Sequence, residues 1–216
     1  MKLLNSFGPN PRMVRMLMAE KGVSMPFEDL DILANENRQP PYLQKNPAGQ
    51  TPSLVLDDGR VIAETVAICE YLEELHPTPA LVGSTPVERA EARMTQRRVE
   101  LNVTEYLYNA FRFGPGLALF EHRVRCLPEA SAGLKAKGMD GLALIDRLLE
   151  GKRFLCGERV TVADLVLYCC LDFVGSTGIP YDPALKNVAA WMARMNERPS
   201  ASASLSPNWA VLKMRG

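Results

Sequence analysis

One stretch decides the fold of this chain, NPAGQTPSLVLDDGRVIAET at residues 46–65. Two short apolar runs, residues 53–56 and 60–63, flank Asp58-Gly59, a dipeptide that accepts the positive φ of a tight hairpin turn. Apolar residues then recur at the spacing of one helix face, at Ile68, Tyr71, Leu72 and Leu75. The stretch therefore predicts two antiparallel strands followed at once by a helix, with Thr65 as its cap.

The same stretch carries groups suited to binding a peptide-like ligand. Pro52 lacks a ladder N–H, and a cis Thr51-Pro52 bond would turn the Thr51 main chain outward, where a ligand could add as a strand. Glu64 offers a carboxylate for an ammonium group, and Thr65 at the helix start offers a hydroxyl and N–H groups for a carboxylate. This pair predicts recognition of an α-amino acid head group.

The pattern NPxGQxPxLxLDDGxxxxExxAIxxYL resembles the thioredoxin-like half of cytosolic glutathione S-transferases, with beta-, nu- and theta-like features of bacterial members. The resemblance implies that glutathione lies along Gln50, Thr51 and Pro52, with its γ-glutamyl end at Glu64 and Thr65. Lys45 and Arg38 are candidates for the glycyl carboxylate, with solvated surface charges as the alternative. For Gln50 a purely structural use in the loop is the alternative, and for Glu64-Thr65 an ordinary helix start.

Composition narrows the classes of partner. The chain has 216 residues with 25 basic and 25 acidic side chains, so its net charge is zero. Long-range attraction therefore does not favour binding to nucleic acid or to an anionic membrane. The apolar run at the N-terminus is too short for a signal peptide, and the run at residues 165–171 is too short to span a bilayer. The cysteines, five in number, include no C-x-x-C. We therefore expect a cytoplasmic protein without a disulfide framework or a metal site.

The first 78 residues predict one α/β domain. Residues 2–5 form a first strand, and Pro11 begins a helix that Asn10 caps and Gly22 ends. Residues 26–32 predict a second strand, and residues 40–46 predict a short helix or a turn before the hairpin. The resulting order β-α-β-α-β-β-α is the thioredoxin-like arrangement that the resemblance implies, so residues 1–78 are the expected glutathione-binding domain.

The remainder predicts an all-helical second domain over residues 86–216, which makes the fold class α/β plus all-α. Thr85-Pro86-Val87-Glu88 combines a cap, a first-turn proline and an acid at the start of a helix that runs to about residue 112. Helical patterns follow over residues 117–126, 129–150, 162–174 and 184–197. Thr161 and Asp164 form a capping box. The tail after Pro199 is expected to pack loosely, with Trp209 as an anchor, and the resemblance implies a homodimer.

Glutathione chemistry requires a thiolate near neutral pH, although an ordinary thiol has a pKa near ~8.5. Lowering this pKa by about two units requires roughly 2.7 kcal/mol of interaction with the anion. A hydrogen bond to a charged group contributes about 1.5–3 kcal/mol, and a helix N-terminus adds about 0.3–1 kcal/mol. One good donor at the start of the first helix is therefore sufficient.

The family places that donor, a Tyr, Ser or Cys, between the first strand and the first helix. This chain has no tyrosine or cysteine there, and its Pro-Asn-Pro-Arg at residues 9–12 resembles the Pro-Asn-Gly of the nu class, whose asparagine faces the sulfur. Asn10 is therefore the first candidate, with helix capping alone as its alternative. Ser6 is the second candidate, with an ordinary strand-end hydroxyl as its alternative.

The second substrate is expected to be a small hydrophobic electrophile. Aromatic and polar candidates for its site, each with plain packing as the alternative, are Phe7, Tyr106, Asn109, Phe113 and Phe120. The predicted activity is a glutathione transferase of the detoxifying kind. There are two alternatives, glutathione-dependent reduction of disulfides or peroxides and a non-catalytic binding module. The intact glutathione-binding pattern argues against the binding module.

Overall fold

A computed structural model describes all of residues 1–216. The chain forms two compact units, the first made of residues 1–80 and 199–216 and the second of residues 81–198. None of the helices in either unit combines the length and the apolar composition that a membrane crossing requires.

The first unit is built around a sheet of four strands. The strands are β1 (Lys2–Asn5), β2 (Phe27–Asp29), β3 (Ser53–Val55) and β4 (Val61–Ala63), and the helices among them are α1 (Pro9–Lys21), α2 (Pro40–Leu43) and α3 (Thr65–Leu75). The strand order is β2-β1-β3-β4, with β1 and β2 parallel and the other pairs antiparallel. This is the predicted thioredoxin-like arrangement, which the structure confirms.

The hairpin forms as its sequence predicts. Gly59 has a φ of 86°, and the N–H of Leu56 donates to the carbonyl of Arg60 at 2.8 Å to close the turn. Ser53 pairs with Ala63 in the register between β3 and β4. This register places the segment before Ser53 and the segment after Ala63 at the same end of the hairpin.

Helix α1 begins two residues earlier than predicted. The carbonyl of Gly8 accepts the N–H of Arg12 at 3.1 Å, and Gly8 takes the capping position with a φ of 121°. The prediction that Asn10 caps this helix is therefore wrong, because Asn10 lies inside the first turn. The predicted end is confirmed, since Gly22 adopts a left-handed φ of 62° there.

The tail was predicted to belong to the helical domain and to pack loosely, and the structure shows otherwise. Residues 199–216 pack within the first unit and contain two short helices, Pro199–Ala203 and Trp209–Leu212. The buried guanidinium of Arg12 donates to the carbonyl of Ala201 at 3.1 Å. Buried cations need such acceptors, which explains the close packing of this segment. Trp209 is half-buried, with Arg215 over its ring at 5.1 Å.

The second unit is helical and contains no sheet. Its helices are α4 (Pro86–Val99), α5 (Glu105–Phe113), α6 (Leu117–Phe120), α7 (Ser131–Leu148), α8 (Val162–Ser176) and α9 (Lys186–Asn196). Both predicted capping boxes form, Thr85 with Glu88 and Thr161 with Asp164. The prediction of an all-helical domain is confirmed for residues 81–198.

The long helix predicted up to about residue 112 is interrupted by a π-helical stretch, Glu100–Thr104. Two glycines of α7 explain the close packing here. A Cβ on Gly141 would lie 1.9 Å from the carbonyl oxygen of Asn102, and a Cβ on Gly138 would lie 2.5 Å from a methyl of Leu107. At Gly141, where the neighbouring atom belongs to the backbone, only glycine permits this close approach.

Candidate functional site

The main chain of Thr51 is free to bind a ligand. The carbonyl of Gln50 accepts hydrogen bonds from the hydroxyl of Tyr42 and, at 2.8 Å, from the amide of Asn46. Because the N–H and C=O of one trans peptide point in opposite directions, the N–H of Thr51 points away from these donors. No hydrogen bond within the protein uses the N–H or the C=O of Thr51. The bond between Thr51 and Pro52 is cis.

Polar residues that the sequence analysis missed hold this loop. Tyr42 is buried, and its hydroxyl lies 2.9 Å from that of Ser53. Burial raises the pKa of the Tyr42 phenol. The amide of Asn37 donates to the carbonyl of Gly49 at 2.7 Å, and Asn46 Oδ1 accepts the N–H of Ala48 at 3.2 Å. Asn46, just before Pro47, carried a recognisable Asx-turn signal for this arrangement.

Glu64 connects β4 to α3 in an unusual conformation. Its φ is 67° and its ψ is 122°, a strained region for a residue other than glycine. Its side chain is exposed and makes no hydrogen bond in the protein. Thr65 is the first residue of α3, so the prediction that it caps the helix is wrong, and no side chain caps this N-terminus. A free carboxylate therefore stands next to uncapped helix N–H groups.

Ser6, the second candidate for the hydrogen-bond donor to the glutathione sulfur, already makes hydrogen bonds within the protein. It is buried, and its Oγ lies 2.7 Å from Thr51 Oγ1 and 3.0 Å from the carbonyl oxygen of Phe7. A serine hydroxyl has a single proton, which one of these two oxygens accepts. The structure therefore ties Ser6 to Thr51 and to its own loop.

Asn10, the first candidate, is not engaged. It is half-buried in the first turn of α1, and its side-chain amide makes no hydrogen bond in the protein. Because Gly8 occupies the capping position, capping does not account for this asparagine. A carboxamide with two N–H donors thus remains available at a helix N-terminus.

The residues assigned to the glycyl carboxylate differ in their surroundings. Arg38 donates to the carbonyl of Ala48 at 3.2 Å and packs against Gly49, so it supports the loop. Gln50 and Lys45 are exposed. Lys45 also borders a shallow groove of about 300 Å³ whose lining residues are Glu28, Leu30, Glu36, Gln39, Pro41, Tyr42 and Lys45.

The candidates for the electrophile site fall in both units. Phe7 is half-buried in the first unit. Tyr106, Asn109 and Phe113 recur at helical spacing on a half-buried face of α5. Asn109 donates to Glu105 Oε1 at 2.8 Å, and Phe120 packs edge-on against Phe111 with ring centroids 6.0 Å apart.

The buried cysteine thiols are not part of the candidate glutathione site. Cys69, Cys169 and Cys170 are buried thiols, and burial raises the pKa of the Cys170 thiol far above its ordinary value. No group of three or more His, Cys, Asp or Glu side chains is placed to hold a metal ion.

A thioredoxin-like unit with a free backbone edge beside a cis proline, together with a helical unit, defines the class of glutathione transferase-like proteins. Comparison with known families agrees. Residues 7–75 match the glutathione S-transferase N-terminal domain and residues 134–199 the glutathione S-transferase C-terminal domain. The chain belongs to the glutathione S-transferase family, and the predictions of this family, of its fold and of a transferase enzyme are confirmed.

Similar proteins span nearly the whole chain. Glutathione S-transferase 2 of Saccharomyces cerevisiae is 32% identical over 200 residues, which are 89% of this chain and 84% of that protein. The crystal structure of Gtt2 from Saccharomyces cerevisiae superposes with a TM-score of 0.88 at 31% identity, covering 95% of this chain and 100% of that one. Maleylacetoacetate isomerase of Pseudomonas aeruginosa is 31% identical over 82% of both chains.

Proposed function

We propose that this enzyme conjugates the thiolate of glutathione to small hydrophobic electrophiles. The observation that carries the proposal is the pairing of two free groups at one end of the hairpin. The register of Ser53 with Ala63 brings the unpaired main chain of Thr51 and the free carboxylate of Glu64 to that end. A tripeptide with an α-amino acid terminus fits such a pair.

Each part of glutathione has a partner of suitable chemistry. The cysteinyl backbone adds along Thr51 as a short strand. The γ-glutamyl ammonium pairs with Glu64, and its carboxylate meets the uncapped N–H groups that begin at Thr65. Lys45 and Gln50, both exposed, are the proposed partners of the glycyl carboxylate, with Arg38 as a further candidate beside the loop it supports.

The thiol requires a donor that stabilises its anion. We assign this role to the amide of Asn10, because its N–H groups are unused in the protein and α1 begins beside it. A hydrogen bond to a charged sulfur contributes about 1.5–3 kcal/mol, enough to make a thiolate accessible near neutral pH. Ser6 Oγ, tied to Thr51, is better suited to positioning.

The electrophile is proposed to contact the half-buried face of α5 that carries Tyr106, Asn109 and Phe113. Aromatic faces favour apolar and planar electrophiles, and the amide of Asn109 adds a polar contact. Substitution of Tyr106 or Phe113 by alanine should change the preference among electrophiles while leaving glutathione affinity unchanged.

Titration calorimetry with glutathione tests the proposal. The native protein should release or absorb heat with a saturating isotherm, and Glu64→Gln should bind at least about tenfold more weakly, since a charge-assisted hydrogen bond is lost. Glu74→Gln is the matched control, because Glu74 is an exposed glutamate further along α3. Absence of binding by the native protein at millimolar glutathione would refute the proposal.

Glutathione-dependent reduction of disulfides or peroxides is the alternative activity. The resemblance of the sequence around Asn10 to that of the nu class supports this alternative. Parallel assays with an aryl halide and with a glutathione mixed disulfide separate the two reactions. Turnover of the disulfide alone would replace conjugation by reduction. Turnover of neither substrate, with intact glutathione binding, would favour isomerisation, an activity that appears in the names of two relatives.

A homodimer is the proposed assembly, and an apolar line on α4 and the π-helical stretch supports it. Val87, Met94 and Leu101 follow at intervals of seven residues and are 68%, 46% and 57% exposed. A second copy would bury this line, as large exposed apolar patches are typical of interfaces. Met94→Arg should produce monomers in analytical ultracentrifugation, whereas Val211→Arg, at another exposed valine, should not.

We also propose a cytoplasmic location and a role in detoxification. The odd number of cysteines, none of them in a disulfide, favours a reducing compartment. Fractionation of cells that express the protein would test the location.

A further inference from the structure

Arg15 of α1 lies at the junction of three parts of the first unit. Its Nη1 donates to Asn5 Oδ1 at 2.6 Å and to the carbonyl of Ser6 at 2.9 Å. Its Nε donates to the carbonyl of Ser204, in the C-terminal segment, at 2.9 Å. The side chain is buried, so these charge-assisted bonds act without competition from water. One guanidinium therefore fixes the end of β1 to residues 199–216.

The C-terminal segment is itself firmly held, which makes it a fixed anchor. Arg12 is fully buried and donates to Ser204 Oγ at 3.3 Å, to the carbonyl of Ala201 at 3.1 Å and to the carbonyl of Arg215 at 3.2 Å. The N–H of Ser206 donates to the carbonyl of Gly216 at 3.0 Å. These bonds stop the segment from moving independently of α1.

From Ser6 the connection continues to the ligand-binding edge. Ser6 Oγ lies 2.7 Å from Thr51 Oγ1, although the two residues are far apart in sequence. The main chain of Thr51 makes no hydrogen bond within the protein, so this side-chain contact restrains it from the side of β1. The series Ser204, Arg15, Ser6 and Thr51 is thus joined by successive contacts within one compact unit.

We propose that Arg15 is a positioning residue that, anchored on the C-terminal segment, holds Ser6 so that its hydroxyl fixes the main chain of Thr51 for glutathione. The inference rests on the proposed function for its ligand, but the restraint itself exists without ligand. Arginine suits this role because its planar fork reaches acceptors in several directions at once, whereas a lysine ammonium cannot span them. Ser6 accordingly acts through Thr51 and makes no contact with sulfur.

Hydrogen exchange of the ligand-free protein, followed by mass spectrometry, tests the restraint. Ser6→Ala removes one oxygen and keeps the carbonyl that Arg15 binds, so peptides that cover residues 48–54 should exchange faster. Arg15→Lys should accelerate exchange in those peptides and in residues 4–8. Ser202→Ala is the matched control, because the exposed Ser202 only donates to the carbonyl of Pro199 and should leave residues 48–54 unchanged.

Glutathione affinity provides the second measurement. Ser6→Ala should weaken binding by about tenfold, the effect of one lost hydrogen bond, with kcat reduced much less than KM is raised. Thr51→Val should weaken binding similarly, and the double variant should be no weaker than either single variant, because both changes break the same contact.

The outcomes separate this inference from the proposed function. Unchanged exchange of residues 48–54 in both Ser6→Ala and Arg15→Lys would overturn the positioning role, whatever the protein binds. A higher pKa of the bound thiol in Ser6→Ala, with unchanged exchange, would instead make Ser6 a direct donor to sulfur. Failure of the native protein to bind glutathione would refute the proposed function, and the exchange result would still decide the restraint.

Discussion

The ammonium of Lys21, at the end of α1, lies 2.5 Å from a carboxylate oxygen of Glu73 in α3. Both side chains are buried, with exposed fractions of 0% and 6%. The ammonium also donates to the carbonyls of His76 and Pro79, at 2.7 Å each. Helices α1 and α3 and the segment that follows α3 are therefore joined at one buried cation.

Lys21→Met should lower the free energy of unfolding by about 3–5 kcal/mol, because it leaves a buried carboxylate without its cation. The double variant Lys21→Met with Glu73→Leu should recover much of that loss. Urea unfolding measures both. Lys2→Met is the control, since the Lys2 and Glu28 pair is about half exposed and should contribute less than about 1 kcal/mol. A small effect of Lys21→Met alone would contradict the buried-pair account.

Glu64→Gly should be more stable than Glu64→Ala by about 1 kcal/mol, the reverse of the usual order. The φ of 67° at Glu64 is strained for alanine and less so for glycine, which has no Cβ. At Glu91, an exposed position within α4, the order should be normal, with alanine more stable than glycine by about 1 kcal/mol. Thermal unfolding of the four variants checks this, and the same order at both positions would argue against strain at Glu64.

Asn10→Ala should raise the pKa of the bound glutathione thiol by about one to two, because the anion loses a hydrogen bond worth about 1.5–3 kcal/mol. Ultraviolet absorbance of the thiolate, recorded against pH in saturating glutathione, gives this pKa. Asn208→Ala, at an exposed asparagine, should leave it unchanged. If the thiol is equally acidic in Asn10→Ala, the role assigned to Asn10 is wrong.

Asp164→Asn should destabilise the helical unit by about 3 kcal/mol or more, because an amide NH₂ would face buried donors. Asp164 accepts the N–H of Leu155 at 2.9 Å, the N–H of Thr161 at 2.8 Å and Trp191 Nε1 at 2.9 Å. Denaturant unfolding monitored by tryptophan fluorescence measures the loss. Asp182→Asn, at an exposed turn where Asp182 accepts only the N–H of Ala184, should have little effect.

Stability should fall at alkaline pH in part through Tyr42. Burial raises the pKa of this phenol in the folded state, so the folded protein keeps a proton that the unfolded chain releases above its ordinary pKa of about 10. The associated stability is complete below that pH and is lost as the pH rises towards the folded pKa. Tyr42→Phe should cost about 1 kcal/mol at neutral pH, and its deficit should shrink above about pH 10. A constant deficit would contradict this.

Local sequence patterns predict most of the fold. The Asp58-Gly59 turn, the capping boxes that begin with Thr85 and Thr161, and Gly22 at the end of α1 each act over a few residues, and all are found as predicted. The start of α1 is harder to predict from the sequence, because a helix could begin at Pro9 or at Pro11. The hydrogen bond from the N–H of Arg12 to the carbonyl of Gly8 decides in favour of Pro9.

Long-range contacts explain what the sequence could not reveal. Arginine is usually a surface residue, and the burial of Arg12 and Arg15 depends in part on the distant carbonyls of Ala201 and Ser204. The π-helical stretch likewise packs against Gly141 of another helix, where the absence of a Cβ leaves room for the carbonyl of Asn102. Within the candidate site, Thr51 and Glu64 follow from a short motif, whereas the contact of Ser6 with Thr51 joins distant parts of the sequence.

The dependence of Arg12 and Arg15 on residues 199–216 also affects how the protein is made. When only residues 1–80 have left the ribosome, the carbonyls of Ala201 and Ser204, which accept hydrogen bonds from Arg12 and Arg15, have not yet been synthesised. The helical unit, continuous at residues 81–198, emerges whole before those carbonyls do. During translation the unit that begins the polypeptide is therefore the last to be completed, and a fragment ending at residue 80 would lack part of the set of acceptors that Arg12 and Arg15 have in the folded protein.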